Sequence, residues 1–186
     1  MTFSRATTVM RTRPTLSGEG TNRVDMWWRA WVNAVDKFEP RWPESFRLVQ
    51  NYGTGLLIQG GRDWTDYQVS ADVTPHMVKS AGIAARVQGL RRYYALLLCE
   101  SGKTRLVKVK DGETVLSEAD FSWQFRGTYT LSLQVIGTRI LASIDGNRLF
   151  DMHDYDDPLT GGGVALVCEE GRMGSNEVTV KPAIPT

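Results

Sequence analysis

The sequence is 186 residues long, and its 22 Lys and Arg stand against 21 Asp and Glu, a formal net charge of +1. That length suits one ordinary domain with an interior large enough to fold without metals or disulfides. The near-neutral balance excludes the basic field that draws proteins to nucleic acid or anionic membranes, and no stretch approaches the roughly 20 apolar residues of a membrane-spanning helix, so neither partner is expected.

The opening residues, MTFSRATTVMRTRPTLSGEG, have no apolar leader core and read as strand, which favours a cytoplasmic location and would also suit a piece of a longer protein. The next stretch, DMWWRAWVNAVDKFEPRW (25–42), holds four of the six tryptophans. The amphipathic spacing of Trp28, Trp31, Val32 and Val35 predicts one short helix near residues 26–36, broken by Pro40 and Pro43. Tryptophan suits a wet sugar platform and a buried corner equally, and alternation puts these four on no common flat face. Trp31 and Trp42 are therefore expected to pack, with Trp27 or Trp28 the better exposed ring.

From about residue 55 the pattern has a period of two, with turn residues at short intervals. DYQVSADVTP, AGIAARVQ, RRYYALLLCE, TRLVKVK, ETVLSEADF, TYTLSLQV, TRILASID, NRLFDMHD, GGGVALVCEE and NEVTVKPA are ten strand segments, joined by hairpin signals such as GL, SGK, DG and IG. Ten strands at this spacing predict an all-β fold, a two-sheet antiparallel β-sandwich of the concanavalin A-like jelly-roll type. The chain reads as one module over 1–186, with 1–54 an N-terminal strand and Trp-rich segment packed on a main jelly roll over 55–182. Alternation sorts the faces: Ile83, Ala85, Val87, Tyr94, Leu96 and Leu98 inward, and Gly82, Ala84, Arg86, Tyr93, Ala95, Leu97 and Cys99 outward. Such a small, apolar outer face is either covered by another segment or is a ligand floor. Cys99 and Cys168 lie in apolar strands and read as free core thiols, with a disulfide the alternative.

GLLIQGGRDWTDYQVSADVTP, AGIAARVQGLRRYYALLL, RLVKVKDGETVL, IDGNRLFD and LTGGGVALVCEEG together resemble laminin-G-like, concanavalin A-like jelly-roll modules. Relatives of those modules include fructan-binding carbohydrate-binding modules and the domain of 3-keto-disaccharide hydrolases. Over residues 8 to 181 the chain most resembles the C-terminal module of some bacterial ADP-ribosylglycohydrolase-family proteins, which carry segments like WRAWVNAVDKF, WPESFRLVQNYGTGLLIQG and DWTDY. The resemblance implies an accessory half: the aspartate and threonine motifs with which such hydrolases hold paired magnesium ions have no counterpart here. This architecture hosts many functions, so the resemblance is poor evidence for a ligand.

Chemistry is sparse elsewhere. Asp154, Asp156 and Asp157 in HDYDDPLTGGG are close carboxylates, but they read as solvated loop acids before they read as a metal site. Nothing in the sequence calls for a cofactor, structural calcium included. His76 and His153 sit in turn-like contexts without a nucleophile partner, the glycine-rich runs lack a phosphate-loop ending, and Glu169 and Glu170 are adjacent and point to opposite faces of a strand. Binding remains. Pairing of GGGVALVCEE beside AGIAARVQ would put Arg86 and Glu169 on one outer face with Tyr93 nearby, either a sugar pocket or an ordinary cross-strand ion pair. Trp64 is expected to be a core or edge anchor, and Trp123, in FSWQF, either a loop platform or a ring packed under the loop.

The candidate ligand-binding residues are thus Arg86, Tyr93, Glu169, Trp123 and Trp28. The expected function is a non-catalytic module for a carbohydrate or ADP-ribose-like ligand, accessory to a parent or partner hydrolase. Two alternatives stand beside it: a structural module that docks on a partner enzyme through the Trp-rich segment and the small-residue face, and a sugar hydrolase of the 3-keto-disaccharide type.

Overall fold

The ten period-two segments become ten strands. A computed structural model describes residues 8–11, 31–41 and 44–183. The strands are β1 (Thr8–Arg11), β2 (Val32–Ala34), β3 (Lys37–Arg41), β4 (Glu44–Gln59), β5 (Tyr67–His76), β6 (Ser80–Gly89) and β7 (Arg92–Cys99), then β8 (Lys103–Lys110), β9 (Glu113–Asp120), β10 (Tyr129–Ile136), β11 (Arg139–Ile144), β12 (Asn147–His153), β13 (Gly163–Ser175) and β14 (Glu177–Pro182). Two-residue turns join β11 to β12 at Asp145-Gly146 and β8 to β9 at Asp111-Gly112, as such dipeptides favour.

Two antiparallel sheets face each other. The smaller has the order β1-β14-β5-β10-β11-β12. In the larger, β2 and β3 both pair with β4, and β13, β6, β7, β8 and β9 follow in that order. Strand β13 joins them, because beyond its central run Arg172, Met173 and Gly174 pair with His76, Pro75 and Thr74 of β5. Between the sheets, Val69, Val73, Leu131, Leu133 and Val135 meet Ile83, Leu96, Leu98, Leu106 and Leu166, all fully buried. This is the alternation expected of strands with one face on a core.

Three expectations need correcting. Residues 31–36 are not helical: Val32–Ala34 is a strand paired with Leu56–Ile58 of β4, and no helix occurs among the described residues. The buried Trp31 packs edge-on against Phe46 at 5.4 Å, so tertiary pairing overrides the helical spacing. Trp27, Trp28 and Trp42 lie outside the described residues. Val87 is not inward and Arg86 is not outward. A bulge leaves Arg86 unmatched between Ala85, paired with Val164, and Val87, paired with Gly163, and Arg86 takes a left-handed φ of 51°. One extra residue reverses the facing of every later side chain in the strand.

Val87 consequently joins Leu56, Ala84, Tyr93, Ala95, Leu97, Cys99, Val107, Ala165 and Val167 in a second apolar cluster, on the outer face of the larger sheet. Cys168 belongs to the inner core and Cys99 to this outer cluster, so one sheet separates the two free thiols and no disulfide can bridge them. Burial pushes the Cys99 thiol up to about 11 and that of Cys168 up to about 12. Neither thiol is expected to react with Ellman's reagent at pH 8 in the folded protein, and both should react in denaturant; rapid labelling without denaturant would refute this placement.

Candidate functional site

The residues singled out in the sequence do not assemble into one pocket. Glu169 pairs with Ser80, at the far end of β6 from Arg86, so the expected Arg86–Glu169 pair does not form. The Glu169 carboxylate instead accepts a 2.6 Å hydrogen bond from the Ser80 hydroxyl and lies 2.7 Å from Lys79 Nζ. Burial tends to raise its pKa, but those two donors outweigh it and hold the group below the usual glutamate value. Tyr93 does share the outer face with Glu169, yet it is buried in the apolar cluster, and burial pushes its phenol up to about 12.

Arg86 is 1 % exposed. Its guanidinium donates to the carbonyls of Thr65 (3.2 Å), Gly137 (2.6 Å) and Leu159, and to Asp66 Oδ1 at 3.4 Å. Its backbone N–H donates to the buried Tyr67 hydroxyl, which in turn donates to the Gly162 and Gly163 carbonyls. Gly162 has a φ of 143°, and a Cβ there would lie 2.4 Å from the Arg86 carbonyl carbon, so the close approach of these two backbones requires glycine. With its donors directed at backbone carbonyls, Arg86 is an internal clamp on three loops.

The aspartates of the 153–162 loop diverge, contrary to the expectation of solvated acids. Asp154 is buried, 2.8 Å from Lys108 Nζ, and accepts a 2.6 Å hydrogen bond from Tyr94 Oη. Asp156 and Asp157 are exposed, the latter paired with Lys110. Among the described residues no three His, Cys, Asp or Glu side chains converge to hold a metal ion.

Trp123 packs under its loop. Its indole donates to the Cys99 carbonyl at 2.8 Å, and the ring rests against the core. Trp64 is the anchor expected, set edge-on to Tyr67 at 6.0 Å. The exposed aromatic of the segment is Phe125, two residues beyond Trp123 and 54 % exposed.

Phe125 stands at a cleft of about 600 Å³, where β13 crosses from one sheet to the other. The crossing depends on backbone geometry. Glu170 has a φ of 43° at a register shift in β13, and at the following Gly171, with a φ of 148°, a Cβ would lie 2.2 Å from the Met77 carbonyl oxygen. Only glycine fits there. Past this bulge the exposed Arg172 lines the cleft while Met173 is fully buried. Across the opening, the 121–128 loop is held by the Trp123 indole, by Gln124 N–H donating to Tyr129 Oη at 2.7 Å, and by Arg126 N–H donating to the Pro75 carbonyl. Arg126 has a φ of 63°, and its guanidinium lies 5.2 Å from the Phe125 ring centre, within cation–π range. His76 meets the same ring edge-on at 6.0 Å. Arg47, Met77, Asn176 and the hydrogen-bonded hydroxyls of Thr74 and Thr128 complete the lining.

Sequence reasoning missed this cleft because its residues lie on four separate segments, and its one local signal, FRG after FSWQ, was overshadowed by the tryptophan. A second, smaller cleft of about 330 Å³ lies at the opposite end of β5 and β13 and is lined by Arg62, Thr65, Gln88, Arg92, Thr160 and Gly161. The outer apolar face, whose exposure would mark a docking surface, is buried, with each member of its cluster at most 7 % exposed.

No family model matches the sequence, and no curated protein matches it. Solved structures do. The carbohydrate-binding module CBM66 from Bacillus subtilis superposes with a TM-score of 0.74 at 15 % identity, covering 82 % of this chain and 95 % of that one. A Bacillus subtilis protein of unknown function with a galectin-like fold gives 0.64 at 11 % identity, covering 87 % and 93 %. The Caenorhabditis elegans galectin LEC-6 gives 0.51 at 13 % identity, covering 82 % and 96 %. At such identities the likeness is one of fold, a galectin-like jelly-roll β-sandwich.

Proposed function

We propose that this chain is a non-catalytic carbohydrate-binding module and that the cleft beside Phe125 is its sugar site. The observation that carries the reading is the exposed Phe125 ring, set by a pinned loop beside guanidinium groups in an open cleft. Sugars present apolar C–H faces and a rim of hydroxyls, and an aromatic face with fixed polar donors matches both. The likeness of fold to a carbohydrate-binding module and a galectin supports it. Among the described residues that line the cleft there is no carboxylate to serve as general acid or base, which removes support from the sugar-hydrolase alternative. Burial of the outer apolar face likewise removes the feature that would favour a docking module. An accessory place beside a larger hydrolase, of the ADP-ribosylglycohydrolase family, is supported by the sequence resemblance.

The test is calorimetric titration of the chain with a panel of neutral and acidic glycans and ADP-ribose. Saturable binding to at least one sugar is expected, with Phe125→Ala raising its Kd about tenfold through loss of the stacking face. Silence across the panel, or binding indifferent to Phe125, would overturn the assignment of this site.

A further inference from the structure

We infer that the cleft selects anionic saccharides, sugars bearing a carboxylate, sulfate or phosphate, and that Arg126 and Arg172 are the residues that select them. The inference rests on the proposed sugar site and names its ligand class.

The argument is one of charge placement. The chain as a whole is near neutral, with a formal net charge of +1, so a concentration of one sign is local. Four surface arginines face acids: Arg92 is 3.0 Å from Asp111, Arg105 2.7 Å from Glu118, and Arg139 and Arg148 lie 2.8 Å and 3.6 Å from Asp151. Arg126 and Arg172 differ from these four. Both are exposed, both line one cleft, and among the described residues no carboxylate pairs with either. The described lining residues include no acid. Like charges brought into one concavity repel each other, and an anionic ligand relieves that repulsion.

The backbone around these groups is costly to maintain. Arg126, Met77 and Glu170 all hold left-handed φ angles, of 63°, 38° and 43°. Each is unfavourable for a residue with a side chain, and strain gathered around one cleft is a mark of a functional site. The guanidinium fork matches a carboxylate, sulfate or phosphate with two parallel hydrogen bonds, which a neutral hydroxyl cannot reciprocate. Phe125, already in contact with the Arg126 cation, offers the ring against which the sugar body lies.

An array of neutral, uronate-containing, sialylated, sulfated and phosphorylated glycans tests this, followed by titration of each acidic hit against its neutral counterpart and against inorganic phosphate. Acidic glycans are expected to bind at least tenfold tighter than their neutral counterparts, with affinity falling as salt rises. Arg172→Gln should abolish that preference and leave the thermal midpoint unchanged, because the side chain is exposed; Arg126→Gln gives an independent second reading. Hits confined to phosphorylated sugars, or to carboxylated and sulfated ones, would support the inference and identify the anion. Neutral glycans binding equally well, with Arg172→Gln silent, would overturn the selectivity while leaving a sugar site. Inorganic phosphate binding as tightly as any sugar anion would overturn the saccharide part, and no hit at all would overturn both readings.

Discussion

Arg86→Ala is expected to lower the free energy of unfolding by about 3–5 kcal/mol, the range for removing one partner from a buried charged cluster. The side chain is 1 % exposed, and its hydrogen bonds end on the carbonyls of Thr65, Gly137 and Leu159 and on Asp66. Truncation leaves carbonyl groups without donors, each worth about 1–3 kcal/mol when buried and unsatisfied, and opens a cavity the size of the lost stem. The three loops held by this one fork precede β5, link β10 to β11 and precede β13, so the damage should spread beyond one strand. Arg86→Lys is expected to recover only part of the loss, since an ammonium cannot span the same acceptors in one plane. Urea denaturation measures it: a loss under about 1 kcal/mol for Arg86→Ala would mean that the loops close without the clamp. Arg86→Ala is for the same reason a poor control for ligand binding, and Arg172→Gln is the better one.

Asp154→Ala is expected to cost about 3 kcal/mol or more, because it strands the nearly buried Lys108 ammonium without its counter-ion. Asp154→Asn keeps the shape and isolates the charge. Burial tends to raise the Asp154 pKa, but the hydrogen bonds from Lys108 and Tyr94 outweigh it, and the folded-state value lies below that of the unfolded chain. A carboxylate depressed in this way contributes stability that is fully present above its unfolded pKa, about 3.9, and is lost as pH falls through the lower folded value. The wild type should therefore lose this contribution only below about pH 4, whereas Asp154→Asn lacks it throughout and shows a shallower decline on acidification. Urea midpoints collected from pH 2.5 to 7 decide the matter, and parallel acid slopes for the two proteins would contradict the assignment. Replacing the pair together, Lys108→Met with Asp154→Leu, should recover much of the single-variant loss.

The sandwich was legible because period-two alternation is a property of single segments. Tyr67, Val69, Ala71 and Val73 announce a strand without reference to any neighbour, and all four are buried in the core. Arg86 defeated the same reasoning, because a bulge is specified by the partner strands and by the approach of Gly162 rather than by GIAARVQ itself. Trp31 and Val32 show a related failure: their spacing suits a helix, but pairing of β2 with β4 decides the matter, and the result is one buried and one 64 % exposed side chain in adjacent positions. The cleft was illegible because Arg172 faces it only after a bulge, and because Phe125 is presented by a loop whose prop, Trp123, was the more conspicuous residue.

The central position of β13 also bears on how the chain folds as it is made. This strand fills the slot between β4 and β6, but it is synthesised long after both. At about 5 to 20 residues per second, roughly 4 to 15 s separate the end of β6 from the start of β13 on the ribosome. Throughout that interval the facing edges of β4 and β6 are unpaired, and the β6–β7 hairpin, destined for burial on both of its faces, can extend only through β8 and β9. The nascent chain should therefore be a chaperone client until β13 emerges, and then close its two sheets in a single late step.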